Sequence, residues 1–149
     1  KSQCELAMTA HIMIPSLDPE FPATLSKKAH ALLRQSLRFR GVTVSDDMEM
    51  QAITDHFSPE QAPVLALAAG CDLLCYRTEK AARHAYESLI KALESGGLSP
   101  ERVLDAATRN RDLRNATHEI QATLPVEKPS DIAGSQSHLD FIQVNFSEN

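Results

Sequence analysis

Gly41-Val42-Thr43-Val44-Ser45-Asp46-Asp47-Met48-Glu49-Met50 is the stretch on which the reading of this chain turns. Val42, Thr43 and Val44 are β-branched and suit a buried, pleated strand, and Gly41 supplies the turn into it. The run stops at two adjacent carboxylates. An acid carried by a parallel strand arrives at the strand's carboxyl end, the edge on which α/β sheets assemble their chemistry. Asp46 is therefore the first candidate functional residue.

Working outward, Leu6–Ile12 reads as a buried strand, followed by a surface loop punctuated by Pro15, Pro19 and Pro22. Ser26 is placed to cap a helix with Ala29, Leu32, Leu33 and Leu37 as its inward stripe. Downstream, Ser58-Pro59-Glu60-Gln61 combines a capping Ser with Pro at the first helical position, and that helix runs through Val64, Leu65, Leu67 and Ala68 to Gly70. A third strand spans Asp72–Tyr76, and Thr78 caps a helix that stops at Gly96-Gly97. Ser99-Pro100-Glu101 opens a last helix with Val103, Leu104, Ala107 and Leu113 facing inward. From about Glu119 the periodicity fades, so the expected organisation is a β-α-β-α-β-α-α unit over 1–118 and an extended tail or linker over 119–149.

Strands alternating with helices predict a parallel sheet with right-handed crossovers, which brings all three strand ends, near His11, Asp46 and Tyr76-Arg77, to one edge. Three strands leave both outer edges unpaired, whereas a closed barrel of this type takes about 250 residues and eight strands. The expectation is a piece of a larger α/β protein, or a chain completed by a partner or by another copy of itself.

Hydrophobic residues make up 42% of the 149 and charged residues 23%, with aromatics at 5% and no Trp, so aliphatic and Ala packing must form the core. A net charge of −5 with scattered Lys and Arg argues against a nucleic-acid partner. No apolar run approaches the roughly 20 residues of a membrane span. Cys4, Cys71 and Cys75 lack metal-ligand spacing and read as buried free thiols, which leads to the expectation of a cytoplasmic location and no metal.

The ordered series Met8-Thr9-Ala10-His11-Ile12, Ala23-Thr24-Leu25-Ser26, Gly41 to Ile53 and Ala69-Gly70-Cys71-Asp72-Leu73-Leu74 resembles glycoside hydrolase family 3, in its bacterial β-N-acetylhexosaminidase branch. The resemblance covers about Cys4 to Arg114 and implies the last three β/α units of a TIM-like barrel. It implies Asp46 as the catalytic nucleophile of a retaining double displacement on β-linked N-acetylglucosamine, in glycans such as peptidoglycan fragments, without a cofactor. In that branch a Lys-His-Phe-Pro-Gly-His-Gly segment supplies the acid/base pair, and no such segment occurs here. The resemblance therefore implies a nucleophile whose proton donor lies in a preceding part of the protein.

Other roles remain open at this level. Asp46 could instead cap the following helix, and Asp47 could contact substrate or do the same. His11 could border a sugar pocket or simply bond a neighbouring loop, and Met48 could wall that pocket or belong to the core. Arg77 reads as a solvent-facing loop residue. The alternative to an enzyme is a non-catalytic truncated barrel module used in association. A receiver-like phosphorylation domain is a weaker alternative, since the later strand ends offer no convincing phospho-acceptor Asp or Lys.

Overall fold

The computed structural model describes residues 4–123 and 134–146. The chain divides into two compact units, Lys1–Ala116 and Thr117–Asn149. In the first, β1 (Leu6–Thr9), β2 (Val42–Asp47) and β3 (Leu73–Cys75) form a parallel sheet in the order β1-β2-β3. Leu6 stands opposite Val42 and Thr9 opposite Ser45, in unbroken register. Between β2 and β3 the register slips: Val44 pairs with Leu73 and Asp47 with Cys75. Three residues of β2 thus advance against two of β3, a bulge at Ser45–Asp46 immediately before the strand end. The Ser45 hydroxyl accepts from Cys75 N–H at 2.9 Å, satisfying a donor the shifted ladder leaves over.

The helices follow their capping residues. α1 (Lys27–Ala31) begins at Ser26, whose hydroxyl accepts from Ala29 N–H at 3.1 Å, and continues as one π turn over Leu32–Ser36. After β2 come the short α2 (Gln51–Thr54) and α3 (Gln61–Ala69), the latter entered through Ser58, which accepts from Gln61 N–H. Gly70 ends α3 at φ +131°, and a Cβ there would collide with the buried His30 ring, so only glycine fits. α4 (Glu79–Glu94) starts at Thr78, whose hydroxyl accepts from Ala81 N–H, and α5 runs over Pro100–Thr123.

Aliphatic and Ala side chains fill the interior. Leu25, Met48, Ile53, Ala62, Ala66 and Cys71 form one cluster, edged by the stacked rings of Phe21 and Phe57. Leu67, Leu98 and Ala106 form a second cluster beneath α4 and α5.

Several expectations need correcting. β1 ends at Thr9 rather than Ile12, and it is not buried: Leu6, Met8 and Ile12 are all exposed, because β1 is an edge strand among the described residues. On α1 the residue turned inward is His30, while Leu32 and Leu37 are exposed because the π turn rotates the stripe away. On α5 the inward positions are Arg102, Val103, Ala106, Arg109 and Asn110, and Leu104 and Ala107 face solvent. Val103 and Ala106 pack into the second apolar cluster, while Arg102, Arg109 and Asn110 turn inward to bond Asp72. Of the three thiols expected to be buried, the structure buries only Cys71 and leaves Cys4 and Cys75 exposed. In the second unit, the stretch expected to be an extended tail contains α6 (Gln136–Phe146), whose first turn has Leu139 N–H on the Ser135 carbonyl and Gln136 bonded to Asp140.

Candidate active site

The carboxyl ends of the three strands lie on one edge, as parallel pairing requires. Asp46 stands there, half-buried, with one carboxylate oxygen accepting from Asp47 N–H at 2.8 Å. Its other oxygen has no partner among the described residues. Neither Asp46 nor Asp47 caps α2, whose N-cap is Met50. Asp47 turns one oxygen to Glu49 N–H at 2.9 Å, an Asx turn that fixes the path of the chain out of β2. The Met48 amide then donates to the Cys75 carbonyl at 2.9 Å.

His11 joins two of the strand ends. Its Nε2 lies 3.0 Å from the Asp47 carbonyl, which can only accept, so Nε2 carries the proton. Its Nδ1 lies 2.9 Å from the Thr24 hydroxyl. Both nitrogens are engaged, so His11 is a brace between β1, β2 and the Thr24 turn. It also lines a cleft of about 400 Å³ beside the strand ends, together with Met13, Glu20, Pro22, His56 and Phe57.

Glu49 crosses to the β3–α4 turn. Its two oxygens accept from Thr78 N–H at 2.7 Å and Thr78 O–H at 2.8 Å. Beside it, burial, followed by the charges of Glu49 and Asp47, pushes the Tyr76 phenol up to about 12, so it stays a neutral hydroxyl. Met48, one of the residues considered for a pocket wall, has its side chain 3% exposed in the core cluster and presents no surface to a ligand. Arg77 is exposed. Burial raises the Cys71 thiol to about 11, which makes it inert as a nucleophile near neutrality. Among the described residues no three His, Cys, Asp or Glu side chains gather as a metal site.

At the opposite end of the sheet lies a second polar centre, which sequence reasoning missed. The Asp72 carboxylate is fully buried and is gripped by Arg34 at 2.5 Å on one oxygen and by Arg102 and Arg109 on the other. Thr43 adds its backbone N–H at 3.0 Å and its hydroxyl at 3.1 Å. Burial opposes the charged form, but the Thr43 amide, Arg102 and Arg34 outweigh it and hold the Asp72 pKa below the usual carboxylate value. The trace of this centre in the sequence is a charged residue directly before the apolar run of β3, inside the Ala69–Leu74 motif.

The model of the Glycosyl hydrolase family 3 N terminal domain matches residues 1–113, which contain both polar centres. The chain belongs to glycoside hydrolase family 3. Among curated relatives, β-hexosaminidase A of Pseudoalteromonas piscicida is 30% identical over 152 aligned positions, covering 89% of this chain and 25% of the relative. The β-hexosaminidase of Idiomarina loihiensis is 40% identical over 75 positions, covering 50% of this chain and 22% of the relative. The solved β-N-acetylglucosaminidase of Paenibacillus sp. superposes with a TM-score of 0.75 at 33% identity, covering 85% of this chain and 24% of that structure. A β-glucoside phosphorylase shares the fold, with a TM-score of 0.78 at 24% identity. The chain thus spans about a quarter of the length of these relatives.

Proposed function

We propose that this chain forms the last three β/α units of a family 3 barrel and provides the nucleophile, Asp46, of a retaining β-N-acetylhexosaminidase. The observation that carries this reading is the Asp46 carboxylate itself, half-buried on a bulged strand end, held through one oxygen and with no partner for the other among the described residues. A carboxylate so held can attack an anomeric carbon while the sugar–oxygen bond breaks and the departing oxygen takes a proton from a general acid. Water then displaces the ester, its proton passing to the same group acting as base, with overall retention.

In this reading the acid/base comes from a part of the protein preceding residue 1, because His11 has both ring nitrogens engaged and the chain lacks the Lys-His-Phe-Pro-Gly-His-Gly segment. The exposed Leu6 and Met8 on β1 and Leu73 on β3 support it, since such strand edges call for further strands. N-acetylglucosaminide is the proposed substrate class because the relatives are β-hexosaminidases and a β-N-acetylglucosaminidase. His11 would wall the sugar cleft, and the outer oxygen of Asp47 could reach a sugar hydroxyl. The free thiols of Cys4, Cys71 and Cys75 suit a reducing, cytoplasmic setting.

The test is hydrolysis of a fluorogenic N-acetyl-β-glucosaminide by the chain alone and by the chain joined to the preceding part of its parent protein. Turnover that needs the preceding part and vanishes in Asp46→Asn is the expected result. A folded, complete protein with no turnover would leave the association module as the better reading.

A further inference from the structure

A chain of hydrogen bonds leads from the start of α4 to Asp46. Thr78 donates through both N–H and O–H to the two oxygens of Glu49. The Glu49 amide donates to the Asp47 carboxylate at 2.9 Å, and the Asp47 amide donates to Asp46 at 2.8 Å. Each link is made to the side chain of the residue whose amide makes the next one.

We propose that Glu49, clamped on Thr78, is a positioning residue that sets the orientation of the Asp46 carboxylate. The inference rests on the reading of Asp46 as nucleophile given above. Its physical basis is that Asp46 is steered by one hydrogen bond, from an amide whose own placement depends on the turn through Asp47 to Glu49. That turn has a second support, from the His11 ring on the Asp47 carbonyl. His11 holds the carbonyl side of the Asp47–Met48 peptide, whereas Glu49 holds the far end of the turn and ties it to a different helix. Glu49 also places its negative charge at the amino end of the 16-residue α4, where the helix dipole favours it. Two donors from one residue, one of them a backbone amide, fix the carboxylate plane as well as its position.

The clamp contacts no substrate in this account, so its loss should act on the chemical step. A displacement of the nucleophile by about 1 Å can cost on the order of 100-fold in rate. In the complete parent protein, Glu49→Ala is expected to lower kcat by about 10- to 100-fold with KM changed less than about twofold. Glu49→Gln, which keeps the volume and one acceptor, should fall between it and the wild type, and Thr78→Ser, which keeps both donors, should retain near-wild-type kcat. Thermal melting followed by circular dichroism establishes that each variant is folded. Should Glu49→Ala fail to fold, Glu49→Gln and Thr78→Val carry the same comparison.

Wild-type kcat in folded Glu49→Ala and Glu49→Gln, or a loss entirely in KM, would overturn the proposal while leaving Asp46 as nucleophile. An inactive wild type, indistinguishable from Asp46→Asn, would overturn the nucleophile reading and the positioning role with it.

Discussion

Two aspartates at opposite ends of the sheet have opposite surroundings. Asp72, directly before β3, has a fully buried carboxylate that meets three guanidinium groups, one backbone amide and one hydroxyl. Asp46, at the end of β2, is half-buried and meets one amide. A carboxylate with every lone pair occupied is committed to structure: it can neither move nor react without breaking several bonds. A carboxylate held by one donor is oriented yet still has an oxygen to offer. Within a single family 3 chain, the number and kind of partners separates a residue that holds the fold from one that can do chemistry.

The same substitution at both positions tests that contrast most sharply. In the complete protein, Asp46→Asn should lower glucosaminide turnover by at least about 1,000-fold, while its amide oxygen still accepts from Asp47 N–H and the unfolding midpoint stays near that of the wild type. Asp72→Asn should do the reverse. It leaves three arginines without their shared counter-charge, at a cost of about 3–5 kcal/mol in urea denaturation, with the activity of the remaining folded molecules largely retained. Loss of activity without loss of stability at Asp72 would break the division.

The acid limb of stability gives a smaller and independent reading. The Asp72 pKa is lowered in the fold, so its contribution is fully present above the ordinary carboxylate value and is lost as pH falls through the folded value. Wild-type protein should therefore lose stability more steeply than Asp72→Asn below about pH 4, measured as denaturation midpoints along a pH series. Equal slopes would mean that another group dominates acid unfolding.

How much of this the sequence disclosed depended on distance along the chain. The caps at Ser26, Thr78 and Ser99 were legible because each bonds a backbone amide three residues ahead, whereas α3 begins at Gln61, behind Glu60, rather than at Pro59 behind Ser58. Asp46 was legible because a β-branched run that ends in an acid marks a strand end. The bulge that turns that end was not, since it depends on pairing with β3, roughly thirty residues later. The Asp72 centre was invisible for the same reason: Arg34 and Arg102 lie 38 and 30 residues from it. Apolar periodicity accordingly put Leu104 inward on α5, whereas the pull of Asp72 turns Arg102, Arg109 and Asn110 that way. The exposure of Leu6 and Met8 was equally hidden, because the burial of a strand depends on a neighbour that its own residues do not specify.

The smallest expected effect concerns the thiols. Cys4 and Cys75 are exposed, while Cys71 is buried and its thiol is raised to about 11. Iodoacetamide at about pH 8 should label the first two and spare Cys71 until the protein is unfolded. Mass spectrometry of the digested protein reads this directly, and early labelling of Cys71 would mean that the core around it opens readily.

Attack of Asp46 on the sugar can be trapped by a rapid acid quench of the complete protein during turnover of an N-acetyl-β-glucosaminide. Peptide mass spectrometry should find one N-acetylhexosamine residue esterified to Asp46, and none in Asp46→Asn. An adduct on another residue, or turnover that Asp46→Asn leaves intact, would contradict the account.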